Sequence, residues 1–339
     1  MIVYERAIPN NEGVFTITLR HPGYEEKKYL GKEGLYARYI SNTGEIIDRF
    51  DVATVPVSAN NLDKRALPET VFGGNDGRTI CSFTQNSLLM RGRGVMMGVL
   101  NVITGEILAE ESYMSEGDPM LAMASDNSGF IPSRILACSN DSDKALIWNP
   151  NGLFAVQLAQ GLPRVMSKTF KGADPWFGSW INDCWVICPE HTRKQIVVIK
   201  QTSGEVVQEF KVRRTASSFA VAHSANKLAV GLMGGAVYVF DLIKDAKKIV
   251  SPHPDANKDD WALVKISDDG RYLVSKMLEK PSLMLTNLET NQTTTLIELP
   301  WVKVPLESGG RHEFIPDFCF VGNELITLSN GEITRYNLQ

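Results

Sequence analysis

Apolar and polar positions alternate along this chain in short bursts, and the bursts come in pairs. "AVYVFDLIKDAKKIV" (236–250) climbs through Tyr238 and Phe240 to Asp241, turns over polar residues and ends in a second apolar pair. The same order of strand, tight turn and strand returns in "LYARYISNTGEIIDRF" (35–50), "VMMGVLNVITGEILAE" (95–110), "ALIWNPNGLFAVQL" (145–158), "QIVVIKQTSGEVVQEF" (195–210) and "SLMLTNLETNQTTTLIEL" (282–299). "EITRYNLQ" (332–339) is the first half of a further copy. Alternation with a period of two, or an apolar run where both faces are covered, predicts β-strands. Thr-Gly-Glu, Ser-Gly-Glu and Asn-Gly at the turns supply the positive φ angles that tight hairpins need.

The turn positions Gly44, Gly105, Gly152, Gly204, Asp245 and Asn291 recur at intervals of 41 to 61 residues, which is an internal repeat. A second strand pair precedes most of these hairpins, as in "SSFAVAHSANKLAVGL" (217–232), "WALVKISDDGRYLVSKML" (261–278) and "DFCFVGNELITLS" (317–329). Four antiparallel strands per repeat at this spacing predict an all-β fold, a seven-bladed β-propeller in one domain. The expected blades are 12–51, 77–113, 118–160, 173–212, 216–252, 260–300 and 316–339, with 52–76 an insertion of polar and small residues. The last repeat holds three strands, so residues 1–8 ("MIVYERAI") are expected to supply the fourth and close the ring.

Over essentially its full length the chain resembles the WD-repeat and related seven-bladed propeller families. "YVFDL" carries Phe240-Asp241 where that family's third strand ends in Trp-Asp, and "IWNP" places Trp148-Asn149 there. The Gly-His opening is absent, and His253 in "SPHPDANKDDW" sits in the comparable loop. The resemblance implies the fold and the family's habit of non-catalytic docking of other proteins. It carries over no catalytic residue.

Composition narrows the classes. Over 339 residues, 35 Lys and Arg are scattered among 39 Asp and Glu, for a net charge of -4, with basic doublets only at Arg213-Arg214 and Lys247-Lys248. No one-sided basic footprint is present, so nucleic acid is not expected as a partner. The start "MIVYERAIPNNEG" lacks a basic head and long apolar stretch, and the longest apolar run, 229–240, is too short to span a bilayer; the expectation is a cytoplasmic chain without a membrane segment. Five cysteines, Cys81, Cys138, Cys184, Cys188 and Cys319, read as reduced thiols. On a strand Cys184 and Cys188 lie about 13 Å apart, beyond disulfide reach.

Candidate chemistry gathers in the loops that lead into the first strand of each repeat. Asp76, Asp118, Asp174, Asp259, Asp260 and Asp317 occupy them, with Trp176, Trp261 and Phe318 following. A ring of carboxylates at a channel mouth could receive a basic partner, hold a cation or flank a scissile bond. Asp and Pro are also favoured turn residues, which explains the same acids without any ligand. The expected partner-binding set is Asp118, Asp174, Trp176, Asp260, Trp261 and Asp317, with Trp176 the leading contact because exposed Trp buries a large rigid area. Trp180 and Trp185 read as core. The five histidines show no metal-ligand spacing, no nucleophile or phosphate-binding motif appears, and "RGRG" (91–94) reads as a turn, so no metal, cofactor or catalytic residue is expected. Two other readings remain at this point: an enzyme or binder of a sugar or lactone using the mouth carboxylates, and an inhibitor or immunity-type partner of another protein.

Overall fold

The computed structural model describes residues 2–9, 13–20, 34–41, 46–51, 80–84, 87–91, 97–101, 107–108, 134–138, 144–149, 152–159, 162–170, 175–189, 193–305, 311–314 and 316–338. All secondary structure among them is β-strand and turn. Two compact units result: one built on Met1–Asp174 with Lys200–Glu205 and Val304–His312, the other on Pro175–Ile199, Val206–Lys303 and Glu313–Gln339.

Among the described residues the first unit contains three four-stranded sheets. They are β1 to β4 (Ile2–Pro9, Gly13–Arg20, Gly34–Ser41, Ile46–Asp51), β5 to β8 (Ile80–Thr84, Ser87–Arg91, Met97–Asn101, Ile107–Leu108) and β9 to β12 (Arg134–Cys138, Lys144–Asn149, Gly152–Ala159, Leu162–Phe170). Strands within each sheet pair antiparallel in chain order.

Two expectations are corrected here. The N-terminal strand does not complete the last sheet: β1 is the first strand of the first sheet, paired with β2 through Pro9↔Val14, Ala7↔Thr16 and Tyr4↔Leu19. A three-residue connection over Asn10-Asn11-Glu12 makes this hairpin far cheaper in loop entropy than closure across the whole chain. In the third sheet the hairpin at Gly152 joins the second and third strands, so Trp148-Asn149 ends a second strand, and the sheet runs from Arg134 to Phe170 instead of 118–160. Pro163 obscures the fourth strand in the sequence, yet β12 is an edge strand, the position within a sheet where proline is tolerated. The insertion at 52–76 and the turns at Gly44 and Gly105 lie outside the described residues.

In the second unit, β13 to β16 (Pro175–Ile181, Cys184–Pro189, Gln195–Lys200, Val206–Lys211), β17 to β20 (Ala216–Ala222, Lys227–Leu232, Val237–Asp241, Ala246–Val250) and β21 to β24 (Ala262–Ile266, Tyr272–Met277, Ser282–Asn287, Thr293–Glu298) form four-stranded sheets. Next in the chain come the paired β25 and β26 (Val302–Pro305, Arg311–Phe314), of which Val304–Pro305 and Arg311–His312 belong to the first unit; in the second unit β27 to β29 (Asp317–Val321, Glu324–Ser329, Glu332–Asn337) form a three-stranded sheet. The turn reading holds where it can be checked: Gly204, Asp245 and Asn291 have φ of 70°, 49° and 63°.

Burial follows strand position. The second strands β14, β18 and β22 are buried along nearly their whole length, whereas the fourth strands β16, β20 and β24 are largely exposed. Both faces of each middle sheet are covered, which is why "KLAVGL" is an apolar run and not an alternation. Leu228, Val230 and Leu232 pack with Val186, Cys188 and Val198 of the sheet before; Ala229, Val237 and Val239 pack with Val264, Ile266 and Leu273 of the sheet after. Val274 and Leu283 continue the stack onto Phe318, Phe320 and Leu325.

The first strands β13, β17, β21 and β27 touch one another in order. Serine hydroxyls bridge β17 to β21. Ser217 Oγ and Ser218 Oγ donate to Ala262 O (2.7 and 2.6 Å), and they accept from Ala262 N and Val264 N (3.1 and 3.0 Å). Strand edges that would otherwise be buried without partners are thereby satisfied.

Candidate partner-binding face

The loop from β20 to β21, "SPHPDANKDDW", contains two prolines that cannot continue a ladder, and it folds into successive turns closed by Ala256 N to His253 O (3.2 Å) and Asp260 N to Asn257 O (3.1 Å). His253, only 6% exposed, has Nε2 3.0 Å from Ser275 Oγ on β22. Gly235 in the β18–β19 turn has φ of 85°, and a Cβ there would meet the His253 carbonyl at 2.8 Å, so glycine is required by both backbone and space. Burial pushes the His253 imidazole down to about 4, against the raising effects of its Ser275 hydrogen bond and of Asp260; Lys280 and Lys276 add to the depression.

Asp260, 5% exposed, ties two turns together. Its Oδ1 accepts from Trp261 N (2.8 Å) and Glu279 N (3.2 Å), and its carbonyl accepts from Gly234 N (2.9 Å). Trp261 is half-buried, and its carbonyl accepts from Leu278 N (2.8 Å), while Trp301 Nε1 donates to Leu278 O (2.7 Å). Beneath this turn lies Lys276, fully buried, whose Nζ donates to Met277 O (3.1 Å) and Lys280 O (2.8 Å). Burial lowers its ammonium to about 8, with Asp260, Glu279 and Glu298 pulling the other way.

The same end of the unit extends past β17. Ala216 N donates to Arg193 O (2.6 Å), Val212 N to Lys194 O (2.9 Å) and Met233 N to Thr215 O (3.0 Å). Five consecutive connections, β14–β15, β16–β17, β18–β19, β20–β21 and β22–β23, are therefore joined by an unbroken series of hydrogen bonds into one rim.

Of the acids and aromatics singled out in the sequence, Asp260 and Trp261 lie on this rim in opposite roles. Asp260 is buried under it, and Trp261 is partly open. Asp317 heads β27 half-buried, and its Oδ1 accepts from Phe318 N (2.9 Å), repeating the Asp260–Trp261 arrangement. Both carboxylates are engaged by local backbone, as turn chemistry requires. Asp76, Asp118 and Asp174 lie outside the described residues, and Trp176 is described only as a backbone position of β13. Trp180 and Trp185 are core residues, paired across β13 and β14 with ring centroids 6.0 Å apart at 90°.

Neither a family model nor a characterised protein matches the chain. Among the described residues no three His, Cys, Asp or Glu side chains converge on a metal-holding arrangement, and no helix is long and apolar enough to cross a membrane.

Sequence reading missed the fixed rim, Trp301 and the buried Lys276. The available signal was the paired glycines Gly234-Gly235, both at φ of 85°, which mark a close backbone approach.

Proposed function

We propose that this chain is a seven-bladed β-propeller of WD-repeat type that acts as a non-catalytic docking platform for another protein. The observation that carries the reading is the series of hydrogen bonds joining five consecutive connections into one rim. A surface ordered before it meets a partner loses little conformational entropy on binding, so its contact energy appears as affinity. Trp261 and Trp301, half-buried beside Leu278, offer the kind of anchors that dominate protein interfaces. The propeller assignment is supported by the serial contact of first strands and by sheets stacked face to face. His253 held on Ser275, in the loop comparable to the family's Gly-His opening, supports the resemblance further.

The test is capture of partners from native lysate on the tagged chain, beside Trp261→Ala and a control, Ile243→Ala, at the far end of β19. Ile243 is 74% exposed, so its truncation leaves the fold intact. A protein lost only with Trp261→Ala, at unchanged thermal stability, supports the reading. A partner retained by Trp261→Ala refutes the face, and capture of nothing by the wild type refutes the platform.

A further inference from the structure

Cations outnumber acids on the rim, although the acids in the sequence suggest the reverse. Lys194, Arg213, Arg214 and Lys258 are exposed and Lys280 is half-buried, and none of the five is ion-paired among the described residues. Two are held in place. Arg214 Nη1 reaches Met233 O (3.4 Å) and lies against Gly234, where any side chain would displace it, and the Lys258 backbone is close to the same glycine. Lys280 Nζ donates to Asp255 O (2.6 Å). Between these cations sit the half-buried Met233, Trp261, Leu278 and Trp301.

We propose that this rim receives an acidic segment of a partner protein, with an apolar anchor seated among Met233, Trp261, Leu278 and Trp301 and flanking carboxylates on Arg213, Arg214, Lys258 and Lys280. The inference rests on the docking reading and adds the partner's chemistry. Arg214 and Lys280, each on a backbone carbonyl, are partly pre-organised for carboxylates, and guanidinium groups can take them in a two-point fork. The exposed acids Asp255, Asp259 and Glu279 stand among the cations. A continuous phosphate backbone would meet them unfavourably, whereas a peptide of discrete charges can avoid them or match them with a base of its own.

The experiment uses the full chain and fluorescence anisotropy with three labelled probes. They are a peptide with a Leu-Phe centre flanked by glutamates, its twin flanked by lysines, and a single-stranded oligonucleotide of the same net charge as the first. The glutamate peptide is expected to bind about tenfold or more tightly than its twin at low salt, with the preference shrinking as salt is added. Arg213→Glu with Arg214→Glu and Lys258→Glu should weaken it about tenfold while thermal unfolding stays unchanged. Equal binding of the twins, indifference to the charge reversals, or tighter binding of the oligonucleotide each overturns the proposal. Charge-blind peptide binding that is still lost with Trp261→Ala removes the acidic preference and leaves the docking reading standing. Failure of every probe, together with no captured protein, removes both.

Discussion

Protonation of His253 should loosen the loop between β20 and β21. The imidazole is buried, bonded to Ser275 and overlaid by Gly235, so charging it in the folded state means placing an ammonium-like group where water cannot reach. Its folded value of about 4 lies below the 6.5 of an unperturbed histidine. The unfolded chain therefore binds the extra proton first, and the stabilisation is fully present above pH 6.5 and is lost as pH falls through the folded value near 4. A depression of that size corresponds to about 3 kcal/mol of unfolding free energy, with a slope approaching about 1.4 kcal/mol per pH unit inside the window. The assay is urea unfolding followed by tryptophan fluorescence from neutral pH downward, on the wild type and on His253→Gln. Glutamine keeps a hydrogen bond to Ser275 within reach and does not titrate. Carboxylates and His223, whose value burial also lowers, contribute to both curves and cancel in the difference. The wild type should lose about 3 kcal/mol more than the variant on acidification. Parallel curves would refute the reasoning.

At the alkaline end, burial holds the Lys276 ammonium near 8 against an ordinary 10.5, so the unfolded chain binds the proton more tightly, and stability should rise between those values. Lys276→Met should abolish that rise, read by the same urea series; an unchanged slope would show that the amine is not the source. Gly235→Ala places a Cβ against the His253 carbonyl at a positive φ and should cost about 2 kcal/mol or more, whereas Gly322→Ala, with φ of 58° and open space, should cost only about 1 kcal/mol. Equal losses by thermal unfolding would mean that the close approach at Gly235 is unimportant. Asp260→Ala strips the acceptor from Trp261 N and Glu279 N and should destabilise the chain by about 2 kcal/mol, measured by urea midpoint; no loss would return Asp260 to the surface role suggested by sequence.

Strand and turn are local properties, and the sequence by itself determined them well. Alternation and apolar runs mark β17 to β24, and the residues at Gly204, Asp245 and Asn291 adopt the positive φ that their turns require. What pairs with what is decided over longer distances. "MIVYERAI" reads equally well as a strand in either of two sheets, and the pairing with β2, its near neighbour in the chain, is settled only in the folded sheet. The same limit governs the site. Asp260 and Trp261 are neighbours in the loop, and nothing in "DDW" says which one faces inward. Packing buries the acid because two backbone N–H groups from different places in the chain reach its Oδ1, and leaves the indole partly open beside Leu278. The cations of the rim are spread over the chain from Lys194 to Lys280, and they come to stand together, with Asp255, Asp259 and Glu279 among them, only when the turns between strands are stacked at one end.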